Sequence, residues 1–423
     1  MAGTINTSVE ANLVKPFNGS PWAPLREPLF RSLWVAAVIS YTGTWMRNVG
    51  AGWLMTQLTT SPFMVSLVQA ASTLPVFLVI LPAGALADMV DRRRLLLITQ
   101  TWMAAGAALL GIFTLMEHIT PWILLLFTFV LGVGVVMNDP AWQAITPEIV
   151  TPEQHAPGVA LNSVGYNVAR AVGPAIGGLV IAIAGVGIDF LVNAVSFSGV
   201  IFFLYRWKRP HYENPQIERV RDAMITGLRY VRSTPAVRCV LIRTAAFSIG
   251  ASSLLALLPI VARPHGATGY GLLLGYFGLG ALAGAAVLPR LRNRLSVNGV
   301  VAFAIVVYAL MTFAVGRVQN FNGLSLVLFT SGTAWIGILA CLNVAAQTMS
   351  PSHLRARTLS AYILVLQGGM AGGSALWGAV ASRLGVPTAF LCSAVALVVG
   401  LFAVRRYRLT AYDVDFAPAV IQD

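Results

Sequence analysis

Long apolar runs separated by short polar loops form most of the chain. Each run is close to the roughly 20 residues that a helix needs to cross the hydrocarbon core of a bilayer. Six runs precede a long polar stretch and six follow it, so the pattern predicts an all-α polytopic membrane protein with twelve transmembrane helices. The predicted spans are 29–54, 64–87, 95–116, 122–145, 158–184, 188–205, 239–261, 270–288, 297–315, 324–349, 359–381 and 388–404.

The composition supports lipid as the medium around these helices. The 423 residues are 57% hydrophobic and only 10% charged, whereas soluble domains carry about 25% charged residues. A soluble protein of this size could not cover its surface with so few polar groups, so we expect membrane lipids to surround it.

Basic residues mark one side of the predicted bundle. The net charge is +13, and arginines cluster after the even-numbered helices, whereas the loops after odd-numbered helices hold only Arg263, Arg317 and Arg383. Lysine and arginine accumulate on the cytoplasmic side of membrane proteins, so both termini are expected in the cytoplasm. Nucleic-acid-binding proteins instead concentrate this charge on a polar domain, and no nucleic-acid partner is expected.

The polar stretches predict five regions. Residues 207–237 hold an apolar stripe with helical spacing, which we interpret as a linker helix on the membrane surface or on the bundle. A regulatory or partner site is the alternative for this helix. The regions are a cytoplasmic arm (1–28), a first six-helix bundle (29–206), the cytoplasmic linker (207–237), a second six-helix bundle (238–405) and a cytoplasmic tail (406–423).

The two halves repeat features at a spacing of 200 residues. Gly84 and Arg92 follow the second helix, and Gly284 and Arg292 follow the eighth. Such a repeat predicts two pseudo-symmetric six-helix bundles. This architecture resembles the major facilitator superfamily, in which substrate binds between the halves near the midplane.

The loop after the second helix resembles motif A of that superfamily, G-x-x-x-D-x-x-G-R-[KR]. Gly84, Asp88, Arg92 and Arg93 occupy motif positions, and Asp91 stands where the pattern has Gly. The resemblance implies that these residues belong to a cytoplasmic gate.

Asp139 is predicted near the cytoplasmic end of the fourth helix, at the depth of Arg92. We therefore expect Asp139 to pair with Arg92 within the gate. The alternative is an aspartate that caps or kinks the helix together with Pro140.

The fifth helix resembles motif C, the G-x-x-x-G-P-x-x-G-G pattern of drug and metabolite antiporters. Its matching residues are Gly173, Pro174, Gly177 and Gly178, with Arg170 inside the motif, and Ala169 replaces the first Gly. Packing of small residues between helices is the alternative explanation of this pattern.

The run from Asn138 to Gly178 and the linker run 227–235 resemble the transmembrane secretion effector branch of the superfamily. That branch includes enterobactin exporters and macrolide efflux proteins. The resemblance implies a multi-pass protein of the bacterial inner membrane that moves a drug, a siderophore or another metabolite.

The candidate cavity residues are polar or aromatic side chains within the spans. Two arginines at membrane depth could attract an anionic group, although Arg47 could also reach towards the interface and Arg170 could brace neighbouring helices. The mixture suits an anionic or amphiphilic small molecule. The candidates are Arg47, Arg170, Phe247, Ser248, Trp335, Asn343, Gln347 and Tyr362.

These features predict a secondary transporter that exports a small organic compound by alternating access. Proton antiport is one possible mode, but Thr128 replaces the arginine of the proton-coupled motif B, and Asp88, Asp139 and Asp189 are expected near the membrane edges. An uptake permease or a lipid flippase is the alternative, and a non-transporting scaffold is least favoured. No nucleotide loop, metal-ligand spacing or nucleophile constellation occurs in the sequence, so we expect no catalytic residues, metal or cofactor. We also expect the protein to be a monomer.

Overall fold

The computed structural model describes residues 20–207, 234–350 and 354–404, leaving out the side chains of 81–82, 84–89 and 356. Every predicted span coincides with a long helix in these ranges. The sixth span consists of two helical segments, Val186–Ser196 and Ser198–Arg206. The helices are α1 (Pro28–Leu58), α2 (Pro62–Met89), α3 (Arg92–Leu115), α4 (Pro121–Ile149), α5 (His155–Ala184), α6 (Val186–Arg206), α7 (Pro235–Val261), α8 (Gly266–Arg292), α9 (Val297–Val315), α10 (Phe321–Thr348), α11 (Arg355–Leu384) and α12 (Val386–Ala403).

Eleven helices of the described chain are long and apolar enough to cross a membrane, and α1 is the one that is less apolar. α1 is 31 residues long, so its length suffices for a span. Its polar side chains include Thr44, Arg47 and Asn48, which face an internal cavity rather than lipid. The lower hydropathy of α1 is therefore a consequence of its central position.

Side chains at the helix starts explain several boundaries. Pro28, Pro121 and Pro235 stand in the first turns of α1, α4 and α7, where a missing backbone N–H costs nothing. The Thr120 hydroxyl accepts a hydrogen bond from Ile123 N at the start of α4. Each of these residues stands at the start of its helix.

A pair of glycines supports the predicted repeat. Gly185 connects α5 to α6 with φ of +86°, and Gly385 connects α11 to α12 with φ of +87°. Residues with a Cβ rarely adopt this left-handed region. The two halves therefore use the same turn at the same place, 200 residues apart.

Two seams join the six-helix bundles: α5 packs on α8, and α2 packs on α11. The close contacts of α5 with α8 run from Gly178 beside Ala267 to Ala171 beside Gly278. On the other seam, Phe63 N donates to Ser382 Oγ over 3.0 Å.

The two ends of the bundle differ in charge and in closure. We call the end that carries Arg92, Arg93, Arg206 and Arg292 the basic face, and the other end the opposite face. Arg263 extends from the α7–α8 turn, and its Nη2 donates to Thr56 O and Thr59 O at the end of α1, at 2.9 and 2.8 Å. Together with the bond from Phe63 to Ser382, these hydrogen bonds join the two bundles at the opposite face, which is therefore closed.

Two helix ends lie close to predicted region boundaries where the chain is described. α7 begins at Pro235, three residues before the predicted start of the second bundle, and α12 ends at Ala403. The apolar stripe of the linker and the tail 406–423 lie outside the described residues, as do residues 1–19 of the arm.

Candidate functional site

A cavity of ≈ 370 Å³ lies between the two bundles. The six helices α1 to α6 supply one wall, and α7, α8, α10 and α11 supply the other. The polar, charged and aromatic side chains of the lining include Tyr41, Trp45, Arg47, Asn48, Gln100, Asn138, Asp139, Tyr166, Arg170, Tyr270, Trp335 and Gln367.

One face of α1 forms much of the first wall. Tyr41, Thr44, Trp45 and Asn48 line the cavity and recur at steps of three and four residues, so they share a helix face. This polar and aromatic stripe in an otherwise apolar run is a sequence signal for a cavity wall. Our sequence analysis selected none of these four residues, and from α1 it selected only the neighbouring Arg47.

Aromatic rings surround the middle of this wall. Tyr166 of α5 packs edge-on against Tyr41 and Trp45, with centroids 5.4 and 6.3 Å apart. The Arg170 guanidinium lies over the Trp45 ring, 5.7 Å from its centroid, as cations do over indole faces. Arg170 is thus held by a ring at the cavity edge.

Asp139 is exposed within this cavity, where it acts electrostatically on the hydroxyls of Tyr41 and Tyr166. It precedes the end of α4 at Ile149 by ten residues, or about 15 Å along the axis. The expectation that Asp139 lies near the helix end is therefore corrected, because α4 continues beyond the predicted span.

Amide side chains tie α3 to α4 behind Asp139. Gln100 Nε2 donates to Asn138 Oδ1 over 3.0 Å, and Thr99 Oγ1 donates to the same atom over 3.3 Å. Gln100 and Asn138 both border the cavity. They fix the backbone from which Asp139 projects, and the sequence analysis did not select them.

The two walls differ in chemistry. The charged residues of the described lining, Arg47, Asp139 and Arg170, all come from the first bundle. The second bundle contributes Tyr270, Trp335 and Gln367 among apolar side chains. Trp335 Nε1 is buried and has no hydrogen-bond partner among the described residues.

Motif A forms a structural junction at the basic face. Asp91 caps α3, its Oδ1 accepting from Arg94 N over 2.8 Å, which explains an aspartate where the pattern has Gly. Arg93 donates to Leu204 O and Tyr205 O at the end of α6, both over 2.7 Å. Arg93 thereby satisfies carbonyl groups that a helix end leaves unpaired.

Arg92 pairs with Glu148 near the end of α4, with Nη1 and Oε1 2.9 Å apart. Arg92 also donates to Ala144 O over 3.2 Å. The expected partner of Arg92 was Asp139, and this is corrected: the ion pair that reaches α4 uses Glu148. The side chains of Gly84 and Asp88 lie outside the described residues.

The motif C glycines hold α5 against two helices. A Cβ on Gly173 would meet Trp45 Cβ at 2.7 Å, and one on Gly177 would meet Met46 Cα at 2.7 Å, both on α1. A Cβ on Gly178 would meet Ala267 O of α8 at 2.6 Å. Pro174 borders the cavity, so the motif places α5 between α1 and the second bundle.

The other predicted cavity residues divide into two groups. Trp335 lines the cavity, as do Arg47 and Arg170. The remaining five lie outside the lining: a buried Phe247 packs on Trp335 with centroids 5.4 Å apart, and Gln347 Nε2 donates to Asn343 Oδ1 within α10. Ser248 and Tyr362 are buried and donate to Ala245 O and Leu339 O.

Comparison with known proteins agrees with this architecture. Over 411 residues the chain is 26% identical to the multidrug efflux pump Tap of Mycolicibacterium fortuitum, covering 93% of this chain and 99% of the pump. It is 25% identical over 163 residues to the staphyloferrin A transporter of Staphylococcus aureus, covering 38% of this chain and 41% of that protein.

A solved structure shows the same fold. A bacterial homologue of the human lysosomal transporter Spinster, crystallised in an inward-facing and occupied conformation, superimposes with a TM-score of 0.73 at 14% identity, covering 91% of this chain and 98% of that one. The family model for transmembrane secretion effectors matches residues 19–421. With its twelve helices in two bundles around a central cavity, the chain belongs to the transmembrane secretion effector family of major facilitator transporters.

Proposed function

We propose that this transporter exports a bulky amphiphilic compound that carries a cationic group. Asp139 carries this proposal, because its carboxyl is exposed in the central cavity beside the rings of Tyr41 and Tyr166. A carboxylate among aromatic faces attracts an organic cation through both charge and ring quadrupole. The apolar second wall would accept the hydrophobic part of the compound.

The direction of transport follows from the proposed orientation. Arginines concentrate at the basic face, which supports a cytoplasmic position for that face in a bacterial inner membrane. Hydrogen bonds join the bundles at or near the opposite face, which supports a cavity that opens towards the basic face. Efflux by the full-length relative of M. fortuitum supports export from this side.

An anionic group is the second candidate for the compound. Arg170 borders the same cavity and is partly exposed. The aromatic contact of Arg170 with Trp45 already engages one face of its guanidinium. We therefore favour the cation, and the experiment below separates the two.

The test compares accumulation of a fluorescent lipophilic cation and matched neutral and anionic analogues in cells with and without the protein. We expect lower accumulation of the cation in cells that contain it. Asp139→Asn should weaken apparent affinity for the cation by tenfold or more, since ~1.4 kcal/mol corresponds to tenfold. Arg170→Gln should retain export of the cation.

The opposite pattern, with export of the anion that depends on Arg170, would establish the second candidate. Equal accumulation of every compound with and without the protein would contradict export itself.

A further inference from the structure

Two polar side chains on α6 are buried outside the cavity. Asp189 and Asn193 lie one helical turn apart, and each is 0% exposed. Among the described residues, neither carboxyl oxygen of Asp189 and neither amide atom of Asn193 has a hydrogen-bond partner. Unpartnered polar atoms at this depth cost free energy, so these residues call for a functional explanation.

The pair faces α1 at two glycines. A Cβ on Gly50 would meet Asp189 Oδ2 at 2.6 Å, and one on Gly43 would meet Asn193 Oδ1 at 2.9 Å. Arg47 lies between these glycines on the same face of α1, at steps of four and three residues. The guanidinium of Arg47 acts electrostatically on Asp189.

Arg47 also belongs to the cavity wall. Its side chain is 7% exposed and borders the cavity, where Nη2 donates to Asn48 Oδ1 over 3.0 Å. One side chain thus contacts the cavity and stands beside the buried carboxyl. Arg47 therefore lies between the buried carboxyl of Asp189 and the cavity.

Among the described residues, Asp189 has no hydrogen bond that would stabilise an ionised carboxylate, and Arg47 is the cation that acts on it. A buried carboxylate without hydrogen bonds costs free energy inside a membrane protein. The helices that pack against α6 are α1, α3 and α5. α3 approaches the start of α6 with Gly111 and Leu115, its arginines 92–94 lie at its far end, and Arg170 of α5 stands over Trp45.

Resting on the proposed export function, we propose that Asp189 is a proton-binding residue and that Arg47 transmits its charge state to the cavity. Under this proposal, a proton adds to a carboxylate oxygen of Asp189 to give the neutral acid in this conformation. When that proton leaves to water, the carboxylate attracts the Arg47 guanidinium towards α6.

This arrangement makes the proton and an organic cation exclude each other. With Asp189 protonated, the charge of Arg47 remains in the cavity wall and repels a cation near Asp139. With Asp189 ionised, Arg47 is neutralised by its neighbour, and the charge of Asp139 prevails. Mutual exclusion of this kind is the condition for exchange of a proton against the exported compound.

Infrared spectroscopy tests the proton without any transported compound. In purified protein at neutral pH we expect the C=O stretch of a buried carboxylic acid, lost in Asp189→Asn and retained in the cavity variant Asp139→Asn. Wild-type protein with carboxyl-labelled aspartate should show the isotope shift of this band, which does not depend on the folding of a variant. The proposal would be overturned if the wild-type spectrum had no carboxylic-acid band that shifts with the label, or if that band persisted in Asp189→Asn.

Transport in proteoliposomes tests the coupling, with a lipophilic cation as probe. Asp189→Asn, and Asp189→Ser as a second variant, should abolish accumulation driven by a pH gradient. Downhill movement of the cation should continue only with a weaker apparent affinity, because a neutral residue 189 leaves the charge of Arg47 in the cavity wall. Arg47→Gln should lose the same dependence. Gradient-driven accumulation by Asp189→Asn at the wild-type level, or accumulation driven by a sodium gradient instead, would refute proton binding at Asp189.

A wild-type protein that moves neither the cation nor its neutral and anionic analogues would contradict the proposed export function. The infrared spectrum would still show whether Asp189 binds a proton, so failure of the export function and failure of this proposal are distinguishable.

Discussion

Single residues at the basic face explain why motif A has its form in this chain. Asp91 caps α3, Arg93 holds the end of α6, and Arg92 joins α3 to α4 through Glu148. Three helix ends thus converge on two adjacent arginines. An ion pair with side chains 24% and 12% exposed is shielded from water more than a surface pair and should contribute about 1 kcal/mol.

A charge exchange tests the Arg92–Glu148 pair. Arg92→Glu and Glu148→Arg should each lower transport, because each single variant places like charges together across the junction. The double variant should recover part of the loss, with a coupling of about 1 kcal/mol in a double-mutant cycle. Strictly additive losses in transport rate would show that the pair does not couple the helices.

At the scale of the helix, α5 combines two contacts that glycine alone permits. Gly173 and Gly177 pack on α1, while Gly178 packs on α8 of the other bundle. Gly378 holds the related position on α11, beside Ser66 of α2. Motif C therefore supports the closure of the opposite face as part of a two-fold pair of seams.

Addition of one methyl group tests this seam. In Gly178→Ala the new Cβ would meet Ala267 O at 2.6 Å and Gly271 Cα at 3.1 Å, and overpacking of this kind costs about 1–3 kcal/mol. We expect a lower Tm in detergent and slower transport. Gly372→Ala on α11 is the matched control, since no atom lies within 4 Å of its Cβ, and an equal fall in Tm for both would contradict the role of the seam.

The helices could be predicted from sequence because the thickness of the membrane sets how long an apolar run must be to cross it. The side chains facing the cavity could be predicted only in part. α7 is apolar around most of its circumference, so periodicity could not show that Phe247 and Ser248 face their own bundle. Asp139 was placed too close to a helix end because the predicted span stopped at residue 145, whereas α4 continues through Pro147 to Ile149.

The whole molecule is held closed at one end by contacts between its two bundles. Alternating access requires these contacts to separate, including the hydrogen bond from Phe63 N to Ser382 Oγ. A covalent link at this place should arrest the protein in the conformation described here.

Cross-linking tests this requirement. The free cysteines Cys239, Cys341 and Cys392 would first be replaced, and Phe63→Cys and Ser382→Cys would then be introduced together. A short reducible cross-linker should stop transport, and reduction should restore it, whereas each single-cysteine variant should be unaffected by the reagent. Full transport by the cross-linked protein would argue against separation at this seam.

The unequal chemistry of the two cavity walls has an evolutionary consequence. The bundles are related by geometry, yet the described charges of the cavity belong to the first bundle and the second offers rings and apolar surface. Substitutions in the second bundle can therefore alter the shape of the accepted compound while the charged residues of the first bundle are inherited unchanged. Related proteins can thus come to transport different compounds without changing the charges that border the cavity.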